Sequence, residues 1–338
     1  MKRLVIAGYF GFGNAGDEAI LEATLGALRR ELAAPFDATV VSGDPDFTLR
    51  RHAAFVPGAL SAISWRDPLA LAEAVRASDL VIVGGGGLFH DYWGADPGVF
   101  LTDLDFGCGF FTAPALLGAL FAKPVMLYGV GVGPLAGAPA RELVAAAAES
   151  ARLVTVRDEP SAALLSELGV ERGRVVVGAD PVWGLELPPT SRRGTGGAPR
   201  VAVALRPWSM GAHVPYWERE VARALDAFLD AYGGSVTFVP FQTGSGEREN
   251  DVAVAERVRA QMRRSGDTTV APPARAGEPF STGELVGLFD EHDLVVAMRM
   301  HAAAFAALRE RPFVAIAYDP KVAETAQQLG ARRCRSPT

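Results

Sequence analysis

Cysteine is nearly missing from this chain. Cys108 and Cys334 are the two present among 338 residues, and neither sits at a metal-ligand spacing. A disulfide-stapled scaffold and a zinc module are therefore excluded, and a reducing cytosol is the expected setting. Histidine is scarce too: His52, His90, His213 and His292 show no mutual spacing that suggests ligation, so no metal site is expected. No block of Lys and Arg interrupts a formal net charge of −6, which leaves no electrostatic case for nucleic acid. Long apolar runs are absent as well. The most apolar stretch, Gly109 to Pro134, is split by Lys123-Pro124 into a helix and a strand, each too short to span a bilayer. The apolar residues after Met1-Lys2-Arg3 are too few for a signal peptide, and Asn14 and Asp17 add polar groups soon after them. A soluble, cytoplasmic protein is expected. Neither a G-x-S-x-G elbow nor a Walker loop occurs, which weakens hydrolase and NTPase readings.

The residues that are present fit a globular α/β protein. Hydrophobic residues make up 49% and charged residues 21%, a profile that allows real cores, and the length suits two domains. Buried-strand signals alternate with helical patterns: Leu4–Ala7, Thr39–Val41, Leu80–Val83, Val125–Tyr128, Leu153–Val156 and Val175–Val177. The stretch 187–199 is dense in Pro, Gly and Ser and reads as a linker. A second series occupies Val201–Leu205, Val236–Val239, Thr268–Val270, Leu294–Ala297 and Phe313–Ala317. Two Rossmann-like lobes with parallel sheets are predicted, over 1–186 and 200–338, with the active site in the cleft between them.

Three segments promise chemistry. The first is Gly8-Tyr-Phe-Gly11-Phe-Gly13-Asn14-Ala-Gly16-Asp17-Glu18, a glycine-rich turn after a buried strand that leads into a helix running to Arg30. Backbone amides and the helix dipole would make it an anion or sugar-diphosphate cradle. Asn14 and Asp17, however, place an amide and a carboxylate where a pyrophosphate needs bare backbone, so hydroxyl groups suit the loop better. The second is Gly84-Gly85-Gly86-Gly87 after another strand, where a ligand could approach the backbone or another element could pack closely. The third is Met298-Arg299-Met300-His301, polar groups that come directly after a buried strand and open a helix. Arg206 comes after the first strand of the second half in the same way. Arg206 and Arg299 are expected to converge on one anion, with Lys321 a third positive charge and His301 a general acid.

The opening motif, the Gly84–Gly87 run, Val156-Arg157-Asp158-Glu-Pro-Ser161, Ala179-Asp180-Pro181 and Met298-Arg299-Met300-His301 together resemble the polysaccharide pyruvyltransferase family, in its bacterial CsaB-type branch. The resemblance runs from residue 1 to about residue 330. It implies a GT-B-like fold without metal or cofactor, phosphoenolpyruvate as co-substrate, and transfer of its pyruvyl group to a sugar as a cyclic ketal. It also implies an N-acetylmannosamine acceptor in a lipid-linked cell-wall polymer precursor at the inner membrane face. The finished polymer would anchor S-layer proteins through their SLH domains. Arg299 and His301 match the donor-site Arg-x-His motif, and Arg206 matches by position. The N-terminal lobe becomes the acceptor side, with Asn14, Gly13, Gly85 and Gly86 near the sugar and Asp17 as base. The C-terminal lobe becomes the donor side. It is expected to be short at its end, since relatives continue with further helices where this chain closes in Ala-Arg-Arg-Cys-Arg-Ser-Pro-Thr338.

Two other functions compete. A GT-B glycosyltransferase using a nucleotide sugar needs an acid to grip a ribose in the second lobe, for which Glu284 and Asp290 are available. A non-catalytic polymer-binding protein needs an aromatic platform, for which Trp208, Tyr216 and Trp217 are the cluster.

Overall fold

The computed structural model describes residues 1–92, 95, 107–190, 197–209, 214–244, 250–273, 275, 277–318, 322–323, 326–327, 329 and 332–335. Strands and helices alternate along them. The first series is β1 (Lys2–Ala7), α1 (Ala15–Glu31), β2 (Phe36–Ser42), α2 (Pro45–His52), β3 (Leu60–Ser64), α3 (Pro68–Ala77), β4 (Leu80–Gly84), α4 (Cys108–Leu120), β5 (Val125–Val130), α5 (Ala138–Ser150), β6 (Leu153–Val156), α6 (Glu159–Glu167) and β7 (Val175–Val177). The second is β8 (Arg200–Ala204), α7 (Val214–Tyr232), β9 (Ser235–Phe238), α8 (Asp251–Gln261), β10 (Thr268–Val270), α9 (Thr282–Asp290), β11 (Leu294–Ala297), α10 (Met300–Leu308), β12 (Phe313–Ala317) and β13 (Arg332–Arg335).

The contacts divide these into two compact units, Met1–Phe12 with Asp17–Glu186, and Gly13–Gly16 with Leu187–Thr338. Each holds one parallel sheet, in the order β3-β2-β1-β4-β5-β6-β7 in the first and β10-β9-β8-β11-β12-β13 in the second. Both are doubly wound orders, so the two Rossmann-like lobes expected from the sequence are present. In each, the chain reverses its direction of travel across the sheet at the first strand. The switch points lie between β1 and β4 and between β8 and β11, and loops leaving those strand ends diverge and leave room for a ligand.

β-Branched and aliphatic runs make these strands because both sheet faces are buried. In the first unit Val5, Ala7, Val81 and Val83 face a core closed by α3, α4 and α5, while Leu4, Ile6 and Ile82 face one closed by α1. α1 begins two residues earlier than its acids suggested, because Asn14 Oδ1 accepts the Gly16 N–H and starts the helix. β3 and β13 had no sequence signal. Both are edge strands, where neither the mixed, mostly half-exposed Leu60-Ser-Ala-Ile-Ser64 nor the polar sequence Arg332-Arg-Cys-Arg335 makes a continuous apolar run. Among the described residues no helix is long and apolar enough to cross a membrane.

Candidate active site

At the switch point of the second unit, Ala204 of β8 lies opposite Ala297 of β11, and the Met298 N–H donates to the Ala204 carbonyl. Arg206 and Arg299 are each the second residue past that pair, so they leave equivalent positions on neighbouring strands. Their surroundings differ. Arg299 caps α10 and is buried; its Nε–H donates to Asp251 Oδ2 at 3.0 Å and its Nη2–H to Asp251 Oδ1 at 2.5 Å and to Gln242 Oε1 at 3.2 Å. Asp251 Oδ2 also accepts the backbone N–H groups of Phe241 and Gln242. The charge of Arg299 is thus matched by a buried carboxylate, in a bidentate pair whose disruption from one side is costly. Arg206 instead donates from Nη1 to the Tyr318 hydroxyl at 2.9 Å and lies 5.4 Å from the ring centroids of both Trp208 and Tyr318.

The segment Gly13–Gly16 completes this site. Asn14 forms an antiparallel bridge with Gln242, Thr243 N–H donates to Gly13 O, and Ala15 N–H donates to Phe241 O at 2.7 Å. Asn14 Nδ2 reaches Gln242 Oε1 at 3.4 Å, so Asn14 and Arg299 share one acceptor. His301 stands in the first turn of α10, half-buried. Its imidazole lies so close to Gly16 that a Cβ there would overlap the ring. The structure therefore brings Gly13, Asn14, Arg299 and His301 together. Lys321 lies outside the described residues, as does His213.

In the first unit, Asp17 sits in the opening turn of α1, buried, against the Gly84–Gly87 turn. A Cβ on Gly86 would stand 2.8 Å from Asp17 Oδ1, and one on Gly85 would enter Ile20. Both glycines have positive φ, +82° at Gly85 and +73° at Gly86. The run is therefore shaped for the close approach of α1, and it places Asp17 and Gly86 side by side.

Sequence reading missed three polar arrangements. Glu18 is fully buried; it accepts Gly11 N–H at 2.7 Å through Oε1 and His52 Nε2–H at 2.8 Å through Oε2, which fixes the glycine turn from beneath. Arg157, at the end of β6, is buried between Asp158 and Asp180 at 3.3 and 3.2 Å, over Gly131. Its motif was visible, but its partners were not. Asp251 carried no motif at all.

The acids that could have gripped a ribose are both engaged in the fold. Glu284 closes a capping box with Ser281, and Asp290 pairs with Arg309 at 2.5 Å. Of the aromatic trio, Trp217 donates from Nε1 to the Trp208 carbonyl, while Trp208 packs on Tyr318 at 4.4 Å. Among the described residues no group of three or more His, Cys, Asp or Glu could hold a metal ion.

Two doubly wound units with their polar residues at the switch points define a GT-B-like protein, and solved structures agree on the fold. UDP-GlcNAc 2-epimerase from Methanocaldococcus jannaschii is similar over 99% of this chain and 89% of its own, at 11% identity and a TM-score of 0.63. A putative UDP-N-acetylglucosamine 2-epimerase from Listeria monocytogenes matches over 97% and 82%, at 14% identity and a TM-score of 0.63. The UDP-GlcNAc 2-epimerase from Neisseria meningitidis bound to UDP-GlcNAc matches over 97% and 85%, at 12% and 0.60. No curated protein matches significantly. The family model for polysaccharide pyruvyl transferase matches residues 14–320, and the chain belongs to that family.

Proposed function

We propose that this protein transfers the pyruvyl group of phosphoenolpyruvate to two hydroxyls of a sugar, forming a cyclic ketal and releasing phosphate. The observation that carries this reading is family membership across residues 14–320, a span that includes Asn14, Asp17, Arg299 and His301. His301 protonates C3 of the donor, which becomes a methyl group and leaves C2 electrophilic. Two acceptor oxygens then bond to C2 as the bond to the phosphate oxygen breaks; one hydroxyl proton passes through Asp17, the base, to the departing phosphate, and the other replaces the proton that His301 gave to C3. Arg206, Arg299 and Lys321 form the donor side; Gly13, Asn14, Gly85 and Gly86 form the acceptor side. The acceptor is an N-acetylmannosamine of a lipid-linked secondary cell-wall polymer precursor, met by a cytoplasmic protein at the inner membrane face. The pyruvylated polymer would serve to anchor SLH-domain proteins of an S-layer. The engagement of Glu284 with Ser281 and of Asp290 with Arg309 speaks against a nucleotide-sugar reading.

The test is incubation with phosphoenolpyruvate and a lipid-linked N-acetylmannosamine disaccharide. A product heavier by one ketal-linked pyruvyl group is expected, with one phosphate released per transfer. Turnover should persist in chelator, because cationic side chains supply the positive charge. Consumption of a nucleotide sugar, with no phosphate released from phosphoenolpyruvate, overturns the reading.

A further inference from the structure

The first turn of α1 carries two carboxylates side by side. Asp17 lies against Gly86. Glu18 is one residue on, about 100° further round the helix, and reaches back to the glycine turn instead. It is fully buried; its Oε1 accepts the Gly11 N–H at 2.7 Å and its Oε2 accepts the His52 Nε2–H at 2.8 Å. The start of α1 does not need this group. Asn14 Oδ1 already accepts the Gly16 N–H, and a surface acid would complement the helix dipole equally well. Burying a carboxylate completely is costly and persists only where hydrogen bonds replace the lost water. Here those bonds tie the turn after β1 to the first turn of α1 and to the last residue of α2.

The loop between β2 and α2 holds the same turn from another direction. Gly43 N–H donates to the Phe10 carbonyl at 2.8 Å, and Ser42 Oγ is bonded to Thr48 Oγ1 at 2.8 Å. A Cβ on Gly11 would run into Ser42 Oγ and the Asp44 backbone nitrogen. Thr48 and His52 both belong to α2, a helix that carries no residue assigned to either substrate. The bond to Glu18 is the one hydrogen bond of the His52 ring among the described residues, since its Nδ1 is buried without a partner.

We propose that Glu18 and His52 are positioning residues for the acceptor side. His52 orients the Glu18 carboxylate; Glu18 holds Gly11 and sets the rotation of the first turn of α1; that rotation aims Asp17 beside Gly86. Both side chains are fully buried, so both act through other groups and neither meets the sugar. This rests on the pyruvyl-transfer reading for the role of Asp17 as base. A misplacement of about 1 Å in a reacting group costs about 10²-fold in rate, so a small rotation of α1 is enough to matter.

The test compares His52→Phe, which keeps a ring and loses the N–H, with His52→Gln, whose amide N–H can meet the same carboxylate oxygen. Melting curves set a temperature at which every variant is folded. With phosphoenolpyruvate and the lipid-linked N-acetylmannosamine disaccharide, kcat should be about ten- to a hundredfold lower in His52→Phe, while calorimetric affinity for phosphoenolpyruvate stays within about twofold of wild type. His52→Gln should recover most of the lost turnover. A role in stability alone predicts a lower melting temperature with wild-type kcat, and that result overturns the proposal, as does a loss of turnover that Gln leaves unrelieved. Hydrogen exchange of the segment 8–14 supplies a readout that needs no activity: the Gly11 amide should exchange faster in His52→Phe and regain protection in His52→Gln, and unchanged exchange also overturns the proposal. If the wild type transfers no pyruvyl group while exchange behaves as expected, the fastening stands and the functional reading falls. If transfer proceeds and His52→Phe keeps the wild-type kcat, the reading stands and the proposal falls.

Discussion

A single methyl group at Gly16 would occupy the space of the His301 ring, so glycine at this position and the place of the proposed acid are one structural fact. Gly16→Ala should push the imidazole aside and overpack the contact at a cost of about 1–3 kcal/mol. Turnover is expected to fall while donor affinity stays close to wild type, because the donor side is proposed to rest on arginines and not on His301. His301→Gln should lower turnover by about 10²–10⁴-fold, again with donor affinity nearly intact, since an amide hydrogen-bonds but does not deliver a proton. Single-turnover kinetics and calorimetry on the two variants check this. Near-native turnover in His301→Gln would leave His301 as a positioning residue. Gly85 shows the opposite case: its packing against Ile20 is reason enough for glycine there, while its neighbour Gly86 faces the Asp17 carboxylate.

At the level of elements, several helices enter this fold through charged or polar residues held by specific partners, while α4 and α5 begin at glycine. α1 starts at Asn14 and is tied down by Glu18 on Gly11 and His52; α9 starts in the Ser281–Glu284 capping box. α9 ends near His292, which is buried and whose Nδ1–H donates to the Leu288 carbonyl at 2.6 Å. Burial pushes the His292 pKa below its ordinary value, with the Leu288 bond opposing the shift. The folded state therefore binds its proton less readily than the unfolded chain. The stability this contributes is fully present above the unfolded pKa of about 6.5 and is lost as pH falls below it. Melting temperature should drop between about pH 7 and pH 5, and His292→Gln should flatten that slope. An equally steep slope in the variant would assign the acid sensitivity to other groups.

The second unit as a whole is closed at its start by one buried pair. Arg309 binds Asp290 through Nε and Nη2 and donates to the carbonyls of Pro188 and Pro189, so the first residues of the unit are fastened to its helices. Arg311 approaches Asp290 at 3.8 Å. Removing Arg309 strands a buried carboxylate and releases two carbonyls. Arg309→Met is expected to destabilise the protein by about 3–5 kcal/mol, which chemical denaturation monitored by circular dichroism will measure. A denaturation midpoint equal to wild type would show that the fastening is dispensable. The same unit also claims Gly13–Gly16, a four-residue segment far from it in sequence, through backbone pairing at Gln242 and Thr243.

The sequence by itself determined the alternation of strands and helices. A run such as Val81-Ile-Val83 has few stable environments other than the middle of a parallel sheet, and β6, β7, β10, β11 and β12 have the bounds that their apolar residues suggested. It also determined that Arg299 and His301 come after a buried strand and begin a helix, since that depends on neighbours a few residues away. The edge strands β3 and β13 were illegible because an edge does not demand an apolar run. Only the tertiary structure decided the company of the charges: Asp251 meets Arg299 across 48 residues, His52 meets Glu18 across 34, and Tyr318 meets Arg206 across 112. Backbone preference is local, whereas charge pairing acts through space, so whether an arginine is neutralised or left to meet a ligand is settled only when distant strands come side by side.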